Sequence, residues 1–153
     1  MVFSQTKDIS LDTLMPVIRE RLASGKSVWL YPKGTSMLPM IRQGIDRVLL
    51  SPLPDKLRKY DLPLYQRDNG QYVLHRIVGV GENYTCTGDN QFELEHDLRH
   101  DQMIALVTTF ARGNKEIQVN NLFYKFYCRF WHYSRPLRLF WRRVKGWLRR
   151  HLK

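Results

Sequence analysis

The sequence predicts a mainly β protein: a compact antiparallel domain with an N-terminal helix before it and amphipathic helices after it. Three observations lead there. Between positions 27 and 119 apolar residues alternate over short runs separated by Pro, Gly and Asp, the pattern of half-buried strands joined by tight turns. Ahead of that stretch they recur at helical spacing, and from Asn121 onward the period returns to helical. A chain of 153 residues suffices for one domain with a real core and is short for two ordinary ones. A composition 43% hydrophobic and 25% charged argues against global disorder.

Residues 1–26 read as one amphipathic helix. Ile9, Leu11, Leu14, Met15, Val17, Ile18 and Leu22 make the apolar face, Asp8 or Ser10 is available as the cap, and "ASGKS" is the stop. Residues 27–119 then supply the strand-like runs "SVWLYPKG", "DRVLLSPL", "DLPLYQRDNGQYVLHRIVGV", "NYTCTGD" and "MIALVTTFARG". Within the third, "RDNG" (Arg67 to Gly70) predicts a hairpin, because Asn-Gly readily adopts positive φ. Residues 120–153 form the tail. Leu122, Phe123, Phe126, Tyr127, Phe130 and Trp131 are expected on one helical face, "SRP" as a break, and Leu137, Phe140, Trp141, Val144, Leu148 and Leu152 on a second face.

Charge is unevenly divided. Positions 121–153 hold ten Lys or Arg and no Asp or Glu, whereas positions 1–120 hold 15 basic and 14 acidic residues and are close to neutral. A uniformly basic nucleic-acid-binding domain would not divide this way. Cys86 and Cys128 lie far apart and suggest neither a disulfide framework nor a metal site, with Cys86 read as a small strand hydrophobe. The first residues lack the basic start and apolar run of a signal peptide, and no window reaches the roughly 20 apolar residues that span a bilayer. The expectation is a cytosolic protein.

The candidate chemistry centres on Ser36. A serine hydroxyl is a poor nucleophile until a base removes its proton and donors stabilise the resulting oxyanion. Gly34 permits backbone angles that other residues resist, Met37 follows the serine directly, and Pro39 stiffens the exit of the loop. His75, in "YVLHRIVGV", is the candidate base. Imidazole has an unperturbed pKa of about 6.5, and alternation puts Val73 and Ile77 on the face of His75, opposite Leu74 and Arg76. "TGDN" then opens the polar segment "GDNQFELEHDLRHD", from which an acid could orient the imidazole. Taken singly, Glu93, Glu95 and Asp101 read as residues of a solvated loop.

In this order, "GTSMLP", "DLPLYQ", "LHRIVGV", "TGDN" and "DQMIALVT" resemble the motif boxes of type I signal peptidases and the wider signal peptidase and LexA-like serine protease superfamily. The resemblance covers about residues 27–110. It implies Ser36 as nucleophile and His75 at the base position, where the bacterial enzymes have lysine and the endoplasmic-reticulum and archaeal ones histidine. The histidine-using relatives carry an aspartate shortly after the "GDN" box. The spacing here is stretched, so Asp97 is the first candidate for the orienting acid and Glu95 the second, with Asp89 shaping a loop alongside Gly88 and Asn90. The sequence departs from the family in three places. Gly34 stands where the bacterial enzymes often carry a helper serine, which leaves mainly the Ser36 N–H for the oxyanion. The "RxGD" turns appear as "RQGID", with Ile45 inserted, and "RKYD", with Tyr60 in place of glycine. An N-terminal membrane anchor is not seen.

No cofactor is implied. His96, His100, His132 and His151 lack the spacing of a zinc set, so no metal is expected. The tail carries ten aromatics with its ten basic residues. Aromatic rings suit the headgroup boundary and basic side chains attract anionic lipid, so the tail is expected to rest on the inner membrane surface, with Trp141, Arg142, Trp147 and Arg149 among its anchoring groups. Packing on the β domain and binding of single-stranded nucleic acid are the competing readings, nucleic acid being the least favoured. The expected function is a serine endopeptidase acting on a peptide or protein. The alternative is a peptide-binding module on the same fold without turnover. A self-cleaving repressor is disfavoured, because one helix leaves no room for a helix-turn-helix domain.

Overall fold

A computed structural model of the chain describes residues 10–151. Asp8, Ile9 and Leu152 lie outside the described residues. The architecture is the mainly β one expected, with antiparallel strands in two sheets, one helix before them and two after.

Helix α1 spans Leu11–Ala23. Ser10 is its cap, its Oγ accepting from the Thr13 N–H at 3.3 Å and satisfying one of the first turn's orphan donors. The stop is Gly25 at φ +75°, where the Gly25 and Lys26 N–H groups return to the carbonyls of Leu22 and Arg21 at 2.9 and 3.0 Å. Leu14, Met15, Ile18 and Leu22 face the core, while Val17 is turned outward. Each buried side chain of this size contributes about 1.5–3 kcal/mol.

The larger sheet contains β1 (Val28–Leu30), β2 (Asp46–Ser51), β3 (Pro63–Gln66), β4 (Tyr72–Leu74), β8 (Met103–Arg112) and β9 (Lys115–Gln118). Its order is β1-β2-β8-β3-β4, with β9 also paired to β8. The smaller sheet runs β5 (Arg76–Val80), β6 (Tyr84–Thr87) and β7 (Glu95–Leu98). "RDNG" does form the β3–β4 hairpin, through a different turn from the one expected. The Gly70 N–H donates to the Arg67 carbonyl at 2.9 Å, Arg67 N–H closes on the Gln71 carbonyl at 2.9 Å, and only Gly70 takes a positive φ, +86°. Asp68 and Asn69 are thus the turn's centre, and glycine supplies the bulge that restores strand twist.

Two apolar clusters fill the fold. One packs α1 and Met37 and Ile41 of the Ser36 loop against β2, β3 and β8. The other lies between the sheets, around Tyr65, Val73, Ile77, Cys86, Leu98 and Met103. Both cysteines are buried free thiols, and burial raises the pKa of Cys86 to about 12.

The tail forms α2 (Leu122–Tyr133) and α3 (Arg135–His151), separated by Ser134 alone, so Pro136 sits inside the first turn of α3 instead of ending a helix. The single apolar face expected in α2 is corrected: its residues divide between two sides of the helix. Tyr124 and Cys128 are buried, with Tyr127 and Trp131 partly so, while Leu122, Phe123, Phe126, Phe130 and Tyr133 are between 58% and 86% exposed. The core beneath α2 contains the guanidinium of Arg76, whose Nη1 donates to Tyr124 Oη at 2.8 Å and Cys128 Sγ at 3.0 Å. A buried charge needs acceptors, so the hydroxyl- and thiol-bearing face turns inward.

Candidate active site

The Ser36 loop is pinned at both ends. Gly34 takes φ +92°, accessible to glycine without strain, and its N–H donates to Gln43 Oε1 at 3.1 Å. At the exit the buried Asp46 carboxylate receives Arg42 N–H, Nε and Nη2 at 2.9, 3.0 and 2.8 Å. Burial alone would raise the Asp46 pKa, but these bonds outweigh it and the net shift is downward. Arg112 Nη2 reaches the carbonyls of Pro39 and Met40 at 3.4 and 2.8 Å, and Met37 and Ile41 anchor the loop in the core. Ser36 is left partly exposed above them.

His75 stands where the chain leaves β4 of the larger sheet for β5 of the smaller one, and its side chain is 3% exposed. Ser36 and His75 line one cleft of about 330 Å³, together with Lys33, Gly34, Leu74 and Gln91. Among the described residues Ser36 Oγ has no hydrogen-bond partner, so a direct Ser36–His75 bond is not formed; catalytic bonds are often loose before substrate arrives.

The acid on His75 is Glu95. Its Oε1 lies 2.8 Å from His75 Nδ1, and Arg67 Nε and Nη2 hold the same carboxylate at 2.7 and 2.6 Å. Tyr65 Oη is 3.3 Å from Nδ1 and helps to hold the Glu95 pKa down. Burial would raise the Glu95 pKa, but Arg67, His75 and Tyr65 outweigh it and lower it. Glu95 is therefore an ionised acceptor, the His75 proton sits on Nδ1, and Nε2 keeps the lone pair a base needs. Burial lowers the His75 pKa, Glu95 opposes that, and Arg67 offsets part of the opposition; the net shift is downward.

This corrects the expectation of Asp97. Asp97 is exposed, with φ +58°, and lies two residues beyond the acid that reaches the imidazole. Cys86 pairs with Glu95 across β6 and β7, and that register brings Glu95 to His75. Asp89 is 4% exposed and forms a two-pronged pair with Arg76, Nε to Oδ1 at 2.8 Å and Nη2 to Oδ2 at 2.7 Å. Asn90 faces the nucleophile loop, its N–H donating to the Ser36 carbonyl at 2.8 Å and its Nδ2 to the Thr35 carbonyl at 3.2 Å. Gly88 is required by contact, since a Cβ there would lie 2.6 Å from the Ser36 carbonyl oxygen. Sequence reasoning missed Tyr65 and Arg67. The signal was present: Tyr65 pairs with Val73, so the period of two puts Tyr65, Arg67, Val73 and His75 on one face of the hairpin.

In the tail, Trp141 and Trp147 are 55% and 53% exposed and Arg149 is exposed as well. Arg142 is exposed too and lies over the Phe92 ring at 5.2 Å. No helix among the described residues is long and apolar enough to cross a membrane. No protein-family model matches the chain, and no curated protein matches it significantly.

Proposed function

We propose that the chain is a serine endopeptidase of the signal-peptidase-like kind, with Ser36 as nucleophile, His75 as general base and Glu95 as the acid that orients it. The observation that carries this reading is the shared cleft of Ser36 and His75, with the imidazole fixed from behind by Glu95. His75 Nε2 takes the Ser36 proton as Oγ adds to the scissile carbonyl, and the Ser36 N–H supports the oxyanion. The imidazolium then protonates the leaving amine, leaving an acyl-enzyme. Water loses a proton to the same nitrogen, attacks the ester, and Ser36 recovers its hydroxyl. Arg67 and Tyr65 keep Glu95 ionised and still, and this holds the Nδ1–H tautomer throughout.

The tail supports peripheral attachment to an anionic membrane. Leu122, Phe126, Phe130, Tyr133, Leu137, Phe140 and Trp141 follow one another at helical spacing across the short α2–α3 break and are all more than half exposed. Basic residues flank this stripe, and an aromatic, cationic helix fits the headgroup boundary of anionic lipid.

Ser36 Oγ, without a hydrogen-bond partner among the described residues, together with a glycine at position 34, favours a second reading: a peptide-binding module that retains the fold without turnover. The deciding experiment is turnover of a peptide library by wild type, Ser36→Ala and His75→Ala, with circular dichroism matched. Activity lost in both variants, and no worse in the double mutant, supports the peptidase because members of one catalytic unit are non-additive. Saturable peptide binding that is the same in all three proteins, without cleavage, supports the module.

A further inference from the structure

The tail meets the segment beside the nucleophile loop at Asp89. Its carboxylate receives Arg76 and also the Tyr127 hydroxyl at 3.2 Å, while its carbonyl receives Trp131 Nε1 at 2.6 Å and Arg138 Nη1 at 3.2 Å. Tyr127 and Trp131 belong to α2 and Arg138 to α3. Arg138 lies 3.9 Å over the Trp131 ring and its Nη2 bonds the Trp131 carbonyl at 2.6 Å, so the donors brace one another. The residues on either side of Asp89 are the two that press on the nucleophile loop: Gly88 lies against the Ser36 carbonyl, and Asn90 donates to the carbonyls of Ser36 and Thr35.

We infer that Trp131, supported by Tyr127 and Arg138, is a positioning residue of the active site: it fixes the 88–90 segment, and through that segment the backbone of Ser36. The inference rests on the peptidase reading above. Arg76 and Tyr127 hold the Asp89 side chain; Trp131 and Arg138 hold its carbonyl, and the Asn90 N–H that meets Ser36 belongs to that same planar peptide group. A displacement of about 1 Å at a reacting group costs on the order of a hundredfold in rate, so a hydrogen bond to the carbonyl of the peptide group that makes that contact has leverage on kcat. The tail's inner face thereby completes the site, while its outer face carries the exposed apolar stripe.

The test uses the full-length chain and the variant Trp131→Phe, which keeps an aromatic ring and removes the indole donor together with one ring of the bicycle. Tyr127→Phe removes the hydroxyl alone and serves as the second variant. Amide hydrogen exchange is followed at Asn90 and, as a global reference, at Val107 of β8. In parallel, the rate at which a fluorophosphonate captures Ser36, with loss of fluoride, reports nucleophile competence. The expected result is Asn90 exchange faster by roughly tenfold or more in Trp131→Phe with Val107 unchanged, and capture slowed by a similar factor; peptide turnover should show the loss in kcat with KM retained. Unchanged Asn90 exchange, or acceleration at Asn90 and Val107 together, overturns the inference. Wild type that neither reacts with the fluorophosphonate nor cleaves peptide overturns the peptidase reading instead, and the Asn90 result then still decides whether Trp131 sets the loop.

Discussion

Glu95 Oε1 accepts the Nδ1 proton of His75 at 2.8 Å, and the same carboxylate is gripped from its other side by Arg67. The arrangement lets a 3% exposed imidazole stay neutral yet oriented, because burial disfavours the charged ring and Arg67 offsets part of the pull that Glu95 exerts on a second proton.

Removal of the orienting charge separates Glu95 from its neighbour. Glu95→Gln should reduce kcat by roughly a hundredfold to ten-thousandfold, because a neutral amide no longer enforces the Nδ1–H tautomer. Asp97→Asn, at an exposed site, should leave turnover within about twofold, the usual result for a surface change. Steady-state kinetics of the two variants check this; equal losses would return Asp97 to the site.

The pH dependence has a definite sign. Burial depresses the His75 pKa, so the neutral base persists below the ordinary imidazole range, and kcat/KM should reach its plateau by neutrality and fall only on the acid side. Arg67→Gln removes a positive charge that lowers the His75 pKa, so the acid limb should move to higher pH. A limb that stays in place, or activity still climbing in the lysine range, would assign the base elsewhere.

Gly88→Ala places a methyl group 2.6 Å from the Ser36 carbonyl oxygen, where the obstacle is backbone and cannot swing aside. The expected outcome is a loss of about 1–3 kcal/mol in stability, the range for overpacking, with turnover falling much further than that loss explains. Urea denaturation alongside kinetics measures both. Disruption of the buried pair behind it, by Asp89→Asn, should cost about 3–5 kcal/mol, since Arg76 is left buried with its charge uncompensated.

For the tail, Phe126→Glu with Phe130→Glu alters exposed positions only and should leave the melting temperature unchanged. Co-sedimentation with phosphatidylglycerol vesicles should fall at least tenfold, because two apolar groups become anionic at the proposed lipid face. Truncation after Gly146 should weaken binding by removing Trp147, Arg149 and Arg150, and salt should weaken it without abolishing it. A wild type that ignores vesicles but binds single-stranded nucleic acid with steep salt dependence would move the tail to a phosphate-binding role.

The sequence by itself determined what repeats locally. Alternation between positions 27 and 119 required paired strands, "RDNG" required a hairpin, and Ser10 and Gly25 required a helix between them, because these signals act over a few residues. The same alternation already joined Tyr65 and Arg67 to the face of His75, although single-strand reasoning about His75 did not draw on its hairpin partner. Tertiary structure alone decided the acid and the tail. Between the "GDN" turn and β7 the chain runs irregularly, so no period transmits a register to Glu95 or Asp97; cross-strand pairing of Glu95 with Cys86 does. In α2 apolar and aromatic residues surround most of the helix, so periodicity could not select the inward face. The buried Arg76–Asp89 pair selected it, because a charge removed from water draws hydroxyl, thiol and indole groups toward itself and leaves the plain phenylalanines outside.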